Sequence, residues 1–219
     1  MPLTGYPMLI KHLSLGQMET NTYVLGSADA DACLVIDVGA NPLELLDLLS
    51  RQHLRLEAVI LTHGHYDHIV GLKELFKAHP QAELILSQSA EKVVRNPLRN
   101  LSVLFFKPFS IRKAARLVSE PQRIELAGLS LAVTDMPGHS PGSIGLYDAQ
   151  DKSVYCGDTL FAGSIGRTDF SGSSQELLLE SIRTKLLVLP DETKVCPGHG
   201  PCTTIGLERR TNPFLNGEG

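Results

Sequence analysis

The stretch "LTHGHYDHIVGL", Leu61 to Leu72, constrains this chain more than any other. Three histidines and an aspartate fall within six residues, between a strand pattern and an amphipathic helix pattern. His63 and His65 are two apart at the end of the expected strand, so their side chains leave on the same side. Asp67 and His68 follow where the chain turns into the helix. Neutral imidazoles and a carboxylate together are ligands that Zn²⁺, Fe and Mn accept.

The ends of other apolar runs carry the same residue types. "LAVTDMPGHSPGS" puts His139 in a Gly/Pro turn, "SVYCGDTLF" puts Asp158 just past a strand, and "KVCPGHGP" puts His199 past another. Loops after strands are where α/β folds collect functional residues from distant parts of the chain. Seven candidates (His63, His65, Asp67, His68, His139, Asp158 and His199) exceed the four ligands of a closed structural zinc. They suit two metals sharing a carboxylate, with positions left for water.

The patterning between these points is α/β. "NTYVLG" and "ACLVIDVG" read as a hairpin around "SADAD", and "LEAVILT", "AELILS", "QRIELAG", "LSLAVTDMP", "SIGLYD", "KSVYCGD" and "TKVCPG" as further strands. "NPLELLDLLSRQH" reads as a helix with Asn41 as N-cap, Pro42 at the first helical position, and leucines 45, 46, 48 and 49 on one face. Helices are also expected from His68 to Pro80 and over 174–189, the second as core. Residues 95–119 read as irregular, and "IRKAARL" within them as a solvated helix face. Phe105 and Phe106 are candidates for either a pocket wall or core. Strands followed by helices in both halves predict one layered domain over 1–219, with sheets inside and helices outside.

Bulk properties narrow the class. A net charge of −4 argues against a nucleic-acid footprint. No apolar run approaches the roughly 20 residues of a membrane span, and the start lacks a leader pattern, so a cytoplasmic protein is expected. Cys33, Cys156, Cys196 and Cys202 form no Cys-x-x-Cys pair, and disulfides are not expected to matter. Cys196, three residues before His199, reads as a buried strand thiol. His12, His53 and His79 receive no role.

Taken together, "HGHYDH" after a strand, "PGHSPGS", "GDTLF" and "PGHG" resemble the metallo-β-lactamase superfamily, over nearly the whole chain. The segment "GDTLFAGSIGRTDFSG" and the tail "ERRTNPFL" are similar to its glyoxalase II branch, the hydroxyacylglutathione hydrolases, in the small bacterial form. The resemblance implies a four-layer αββα sandwich with the site at one edge of the sheets. It also implies two divalent ions, zinc first, with iron or manganese as alternatives. His63, His65 and His139 would hold one ion, Asp67, His68 and His199 the other, and Asp158 would bridge. Asp37 in "VIDVG" would orient a ligand histidine. The chain runs only 20 residues past His199, where familiar enzymes of that branch carry a C-terminal helical domain that grips glutathione. Arg167 could meet a substrate carboxylate, but the tyrosine of that subsite has no clear counterpart. A second copy of the chain, as a homodimer, would then complete the pocket.

The expected activity is hydrolysis of a small thioester, glutathione-derived ones among the candidates, with Asp67 and Asp158 acting through the water that the ions activate. A thiol has a pKa of about 8.5, so its thiolate leaves without a general acid. An amide nitrogen would need a proton donor, and only Asp67 or water is at hand. One alternative is a persulfide dioxygenase using a single iron on His63, His139 and Asp158. A flavodiiron-type reductase is disfavoured by His65, and a phosphodiesterase by the acidic charge balance. A non-catalytic metal-binding domain is disfavoured by the open ligand set.

Overall fold

The computed structural model describes residues 8–27, 31–105 and 107–216, so the hairpin tip at 28–30 and Phe106 lie outside the described residues. The chain forms two six-stranded sheets. The first contains β1 (Met8–Leu15), β2 (Thr20–Ser27), β3 (Ala32–Ile36), β4 (Arg55–Ile60), β5 (Glu83–Ser87) and β6 (Ala115–Val118), in that order across the sheet. The second contains β7 (Arg123–Leu126), β8 (Leu129–Asp135), β9 (Ile144–Asp148), β10 (Ser153–Gly157), β13 (Lys194–Pro197) and β14 (Thr203–Thr204), with spatial order β14-β13-β10-β9-β8-β7. A short ribbon of β11 (Leu160–Phe161) and β12 (Ser164–Ile165) stands apart from both.

Three separate apolar clusters define four layers. In the first sheet, side chains alternate between faces along each strand. Val24, Cys33, Val35 and Val59 point outward to Leu45 and Leu49 of α1 (Leu43–Arg51), Leu72 and Leu75 of α3 (Leu72–Ala78), and Ala90 and Val94 of α4 (Gln88–Val94). Tyr23, Leu25, Leu34, Ile36 and Ile60 point inward to Ile124, Leu131, Leu146 and Tyr155 of the second sheet. The outer face of that sheet, with Val154, Cys156 and Val195, receives Leu178 of α5 (Gln175–Ser181), Ile182 and Leu186 of the π-helical turn that follows it, and Ile205 of α6 (Ile205–Thr211). This is the metallo-β-lactamase fold, with layers in the order αββα.

Several local expectations are corrected. Asn41 is not an N-cap: it adopts a left-handed conformation, and α1 begins after Pro42 with no side-chain cap. The helix expected from His68 is two pieces, α2 (Tyr66–Ile69) and α3. The backbone is pulled aside between them, because the Gly71 amide bonds to the Val38 carbonyl at 3.2 Å and Val38 N bonds to the His68 carbonyl at 2.8 Å. A Cβ on Gly71 would collide with the Gly39 carbonyl, which leaves that crossing to glycine.

Residues 95–119 hold a 3₁₀ turn (Ser102–Phe105) and strand β6, so "IRKAARL" ends in a strand rather than forming a helix face. β6 pairs in parallel with β5, and exposed Leu117 marks it as a sheet edge. The 174–189 segment is not core throughout, since Leu177 and Val188 are exposed. Strand β1 and helices α6 and α7 (Pro213–Asn216) were not anticipated. Among the described residues, no helix is long and apolar enough to cross a membrane.

The Leu34 side chain, fully buried between the sheets, tests this layering against exposed Leu177. Leu34→Ala is expected to lower unfolding free energy by about 2–5 kcal/mol. Leu177→Ala should stay within about 0.5 kcal/mol. Urea midpoints of the two variants check both values.

Candidate metal centre

Strand polarity explains why distant residues meet. β3 and β4 run parallel. β8 and β10 are each antiparallel to β9 and so share a direction, and β13 is parallel to β10. The C-terminal ends of β8, β10 and β13 therefore open on one edge. There they meet the end of the first sheet, with the Ile144 amide bonded to the Thr62 carbonyl at 2.8 Å. Asp37 follows β3, the 63–68 run follows β4, His139 follows β8, Asp158 follows β10 and His199 follows β13. All seven candidates and Asp37 are brought together.

The ligand atoms of His63, His65 and His139 lie within 4.8 Å of one another, as do those of Asp67, His68 and His199. Asp158 stands between these groups: Oδ2 is 3.5 Å from His139 Nε2 and 3.7 Å from His199 Nε2, and Oδ1 is 3.3 Å from His68 Nε2. Asp37, His63 and His68 make a third grouping, but hydrogen bonds account for the Asp37 oxygens. Oδ1 accepts from the Thr62 amide at 2.9 Å, while Oδ2 accepts from the Thr62 hydroxyl at 2.6 Å and from His68 Nδ1 at 2.8 Å.

These outer bonds fix the tautomers. His68 Nδ1 donates to Asp37, so Nε2 is the nitrogen aimed into the cluster and the one that would bind a cation. The Thr62 hydroxyl donates its hydrogen bond to Asp37 and accepts from His63 Nδ1 at 3.2 Å. His139 Nδ1 donates to the Arg167 carbonyl at 2.8 Å and His199 Nδ1 to the Met18 carbonyl at 2.9 Å. Four Nε2 atoms therefore face inward.

They face other acceptors. His139 Nε2 is 2.9 Å from His65 Nδ1, and His199 Nε2 is 3.0 Å from Asp67 Oδ2 and 3.3 Å from His68 Nε2. Buried His63 Nε2 and Asp158 Oδ1 have no hydrogen-bond partner. Such an arrangement is repulsive unless a cation or proton lies among the atoms, and the donor set fits divalent metal ions.

Burial and neighbouring charge give the same picture. Burial, then the His68 and His65 rings, drives His63 well below the imidazole range, and burial with His139 beside it holds His65 down at about 3. Burial also opposes charge on His68, yet Asp158, Asp67 and Asp37 outweigh it and raise this group. Burial works against ionised Asp158 too, and His68 overcomes it and lowers the carboxyl. His63 and His65 are thus held as neutral donors, and the other half of the site gathers carboxylates that attract positive charge.

Glycine permits the closeness. A Cβ on Gly198 would collide with the Asp158 carboxylate and lie 2.6 Å from His68 Cε1. Above the cluster opens a cavity of about 390 Å³ whose walls include Met18, Leu101, Leu104, Phe105, Phe161 and Phe170. Phe105 stacks on Tyr66 at 5.2 Å, on the pocket side rather than in the core. Arg167 also lines the cavity, but it is committed to Asp169 through two bonds of 3.0 and 2.8 Å and lies over the Phe170 ring. A larger cavity of about 570 Å³, beside Leu117 and Gln122, contains none of the His/Asp cluster.

Sequence reasoning missed Thr62, which links Asp37 to His63. It also missed Asn21, whose amide group donates to the carbonyls of Pro197 and Gly200 at 2.9 and 2.8 Å and clamps the His199 loop. Lone polar residues in an apolar strand carry little signal, although Asn21 at the head of "NTYVLG" is out of place for a strand core.

The family model of the metallo-beta-lactamase superfamily matches residues 15–199, and the chain belongs to that superfamily. It is 37% identical to the hydroxyacylglutathione hydrolase GloC of Haemophilus influenzae, over 86% of this chain and 89% of that protein. Identity is 34% with the probable metallo-hydrolase YqgX of Bacillus subtilis, over 94% and 97%. Among solved structures, the BLEG-1 B3 metallo-beta-lactamase superposes with a TM-score of 0.89 at 36% identity, covering 94% of this chain and 99% of that one. TTHA1623 in a di-iron-bound form gives 0.83 at 34% identity, covering 94% and 100%. ETHE1 from Myxococcus xanthus gives 0.76 at 27% identity, covering 96% and 85%. The chain is a metallo-hydrolase of this superfamily, and its His/Asp cluster suits divalent metals.

Asp37→Asn leaves the local packing in place but disturbs the acceptor that orients His68. Metal affinity is expected to fall by about 10–100-fold, with unchanged far-ultraviolet circular dichroism. Competition against a chromophoric chelator measures the affinity.

Proposed function

We propose that this protein is a metal-dependent thioesterase of glyoxalase II type, cleaving small thioesters, glutathione-derived ones among them, within a single catalytic domain in the cytoplasm. The observation that carries the reading is the position of Asp158, within reach of both ligand groups and at the floor of an open cavity. His63, His65 and His139 would hold one ion and Asp67, His68 and His199 the other, with Asp158 within reach of both groups. Zinc is the first assignment, with iron the alternative in view of the di-iron relative. When bound, a pair of divalent ions supplies a nucleophilic water at neutral pH and polarises the substrate carbonyl.

The residues of the chain do the remaining work. Asp67 and Asp158 line the cavity floor and orient the attacking water. Asp37 and Thr62 orient the His68 and His63 rings so that Nε2 of each faces the site. The apolar walls exclude bulk water from the carbonyl. A thiolate departs unaided, which matches a cavity without a dedicated proton donor for an amide nitrogen. The GloC relative, named as a hydroxyacylglutathione hydrolase, supports the thioester assignment.

The rival reading, a single-iron persulfide dioxygenase, requires only His63, His139 and Asp158. The second group, Asp67, His68 and His199, is compatible with either reading, and the GloC relative is what favours the hydrolase.

Purified protein with its metals is expected to hydrolyse S-lactoylglutathione while carrying about two ions per chain. His139→Ala should lower kcat/KM at least about a hundredfold, equivalent to about 2.7 kcal/mol of barrier. Fully metallated protein without turnover on thioesters would refute the reading. One bound iron with oxygen uptake on glutathione persulfide would replace it with the dioxygenase.

A further inference from the structure

We propose that Cys196 and Cys202 form a reversible disulfide site that closes the chain around the His199 loop. The sequence "CPGHGPC" places one cysteine on each side of this histidine. β13 and β14 pair antiparallel, with Lys194 opposite Thr204 and Val195 opposite Thr203. The next facing positions in that register are Cys196 and Cys202. Facing residues of an antiparallel pair have Cα atoms about 4.5–5.5 Å apart, inside the roughly 4.4–6.8 Å range that disulfides span. The sulfur atoms already lie 3.9 Å apart.

The two thiols differ in access. Cys196 is buried and Cys202 partly exposed, so an oxidant in solution meets Cys202 first and Cys196 is the resolving thiol behind it. The Cys196 thiol beside it, together with the Lys194 charge, lowers the Cys202 thiol to about 6, which favours the thiolate as attacking group. Cys33 and Cys156 do not compete: both are buried, and burial pushes each up to about 12.

The oxidant class is a low-molecular-weight disulfide, RSSR. The Cys202 thiolate attacks one sulfur, forming a mixed disulfide and releasing RS⁻. The Cys196 thiol loses its proton and attacks the Cys202 sulfur, releasing the second RS⁻. In total, two protein thiols and RSSR give one protein disulfide and two RSH, with RSSR reduced and the cysteines oxidised.

The intervening loop is anchored independently. Tyr23 donates to the Pro197 carbonyl at 2.7 Å, and the Asn21 backbone amide donates to the Gly198 carbonyl at 2.8 Å, besides the two side-chain bonds from Asn21. Bridging therefore draws two side chains together across the ladder while β2 holds the loop. The closed ring restrains His199, so oxidised protein releases metal more slowly than reduced protein. None of this depends on which substrate the site cleaves.

The test treats metal-loaded, full-length protein with oxidised glutathione, alkylates the remaining thiols after denaturation, and maps peptides by mass. The expected result is an intramolecular link between residues 196 and 202. Two of the four thiols should be lost, and dithiothreitol should restore them. Cys196→Ser should stop at a glutathione adduct on Cys202. A wild-type protein that stops at this adduct, links other cysteines or does not react would overturn the proposal. Chelator-driven metal release is expected to be slower in the oxidised form, and equal or faster release would overturn the coupling to His199.

Discussion

Imidazole nitrogens and carboxylate oxygens that point at one another without hydrogens between them are the constraint on which the rest of this structure depends. Each inward-facing nitrogen of His63, His68, His139 and His199 is left bare because the opposite ring nitrogen is occupied by Thr62, Asp37, the Arg167 carbonyl or the Met18 carbonyl. Assembling such a cluster costs free energy unless cations fill it. The surrounding protein must therefore hold it against its own repulsion. Asp37 contributes twice, by fixing the His68 ring and by orienting Thr62 behind His63.

The two-sheet sandwich supplies that rigidity. Its three apolar layers lock the strands, and the strand ends deliver one or more donors each to a common edge. The crossing of Gly71 over the Gly39 carbonyl, and the fit of Gly198 against Asp158, show how little space separates the scaffold from the site. The β1–β2 hairpin acts from the other side, gripping residues 197–200 through Asn21 and Tyr23. The cavity walls above are apolar, whereas the nearby cation of Arg167 is matched by Asp169. Chemistry and recognition are thus separated, with charge at the floor and apolar surface around it.

Much of this was legible in the sequence, for identifiable reasons. The metal-type residues stood out because His and Asp at strand ends have no role in packing, and their repetition after several strands could not be absorbed by a core. Most strands of both sheets were visible as short branched runs, although β1, β6 and β14 were not. What was hidden depended on contacts distant in sequence. β6 reads as a solvated segment because it is a four-residue edge strand, with Arg116 and Leu117 exposed and its pairing supplied by β5. The break between α2 and α3 arises from Val38 hydrogen bonds that no local pattern encodes. Asn41 resembled a cap by type, but its left-handed backbone points it elsewhere. Thr62 and Asn21 matter for what they bond, which single residues do not announce.

The central claim is that this edge holds two ions bridged by Asp158, and anomalous X-ray diffraction from crystals of the metal-loaded protein tests it most directly. The account predicts two peaks, one among His63, His65 and His139 and the other among Asp67, His68 and His199, with Asp158 contacting both. A single fully occupied peak coordinated by His63, His139 and Asp158, with Asp67 and His68 free of metal, would contradict it.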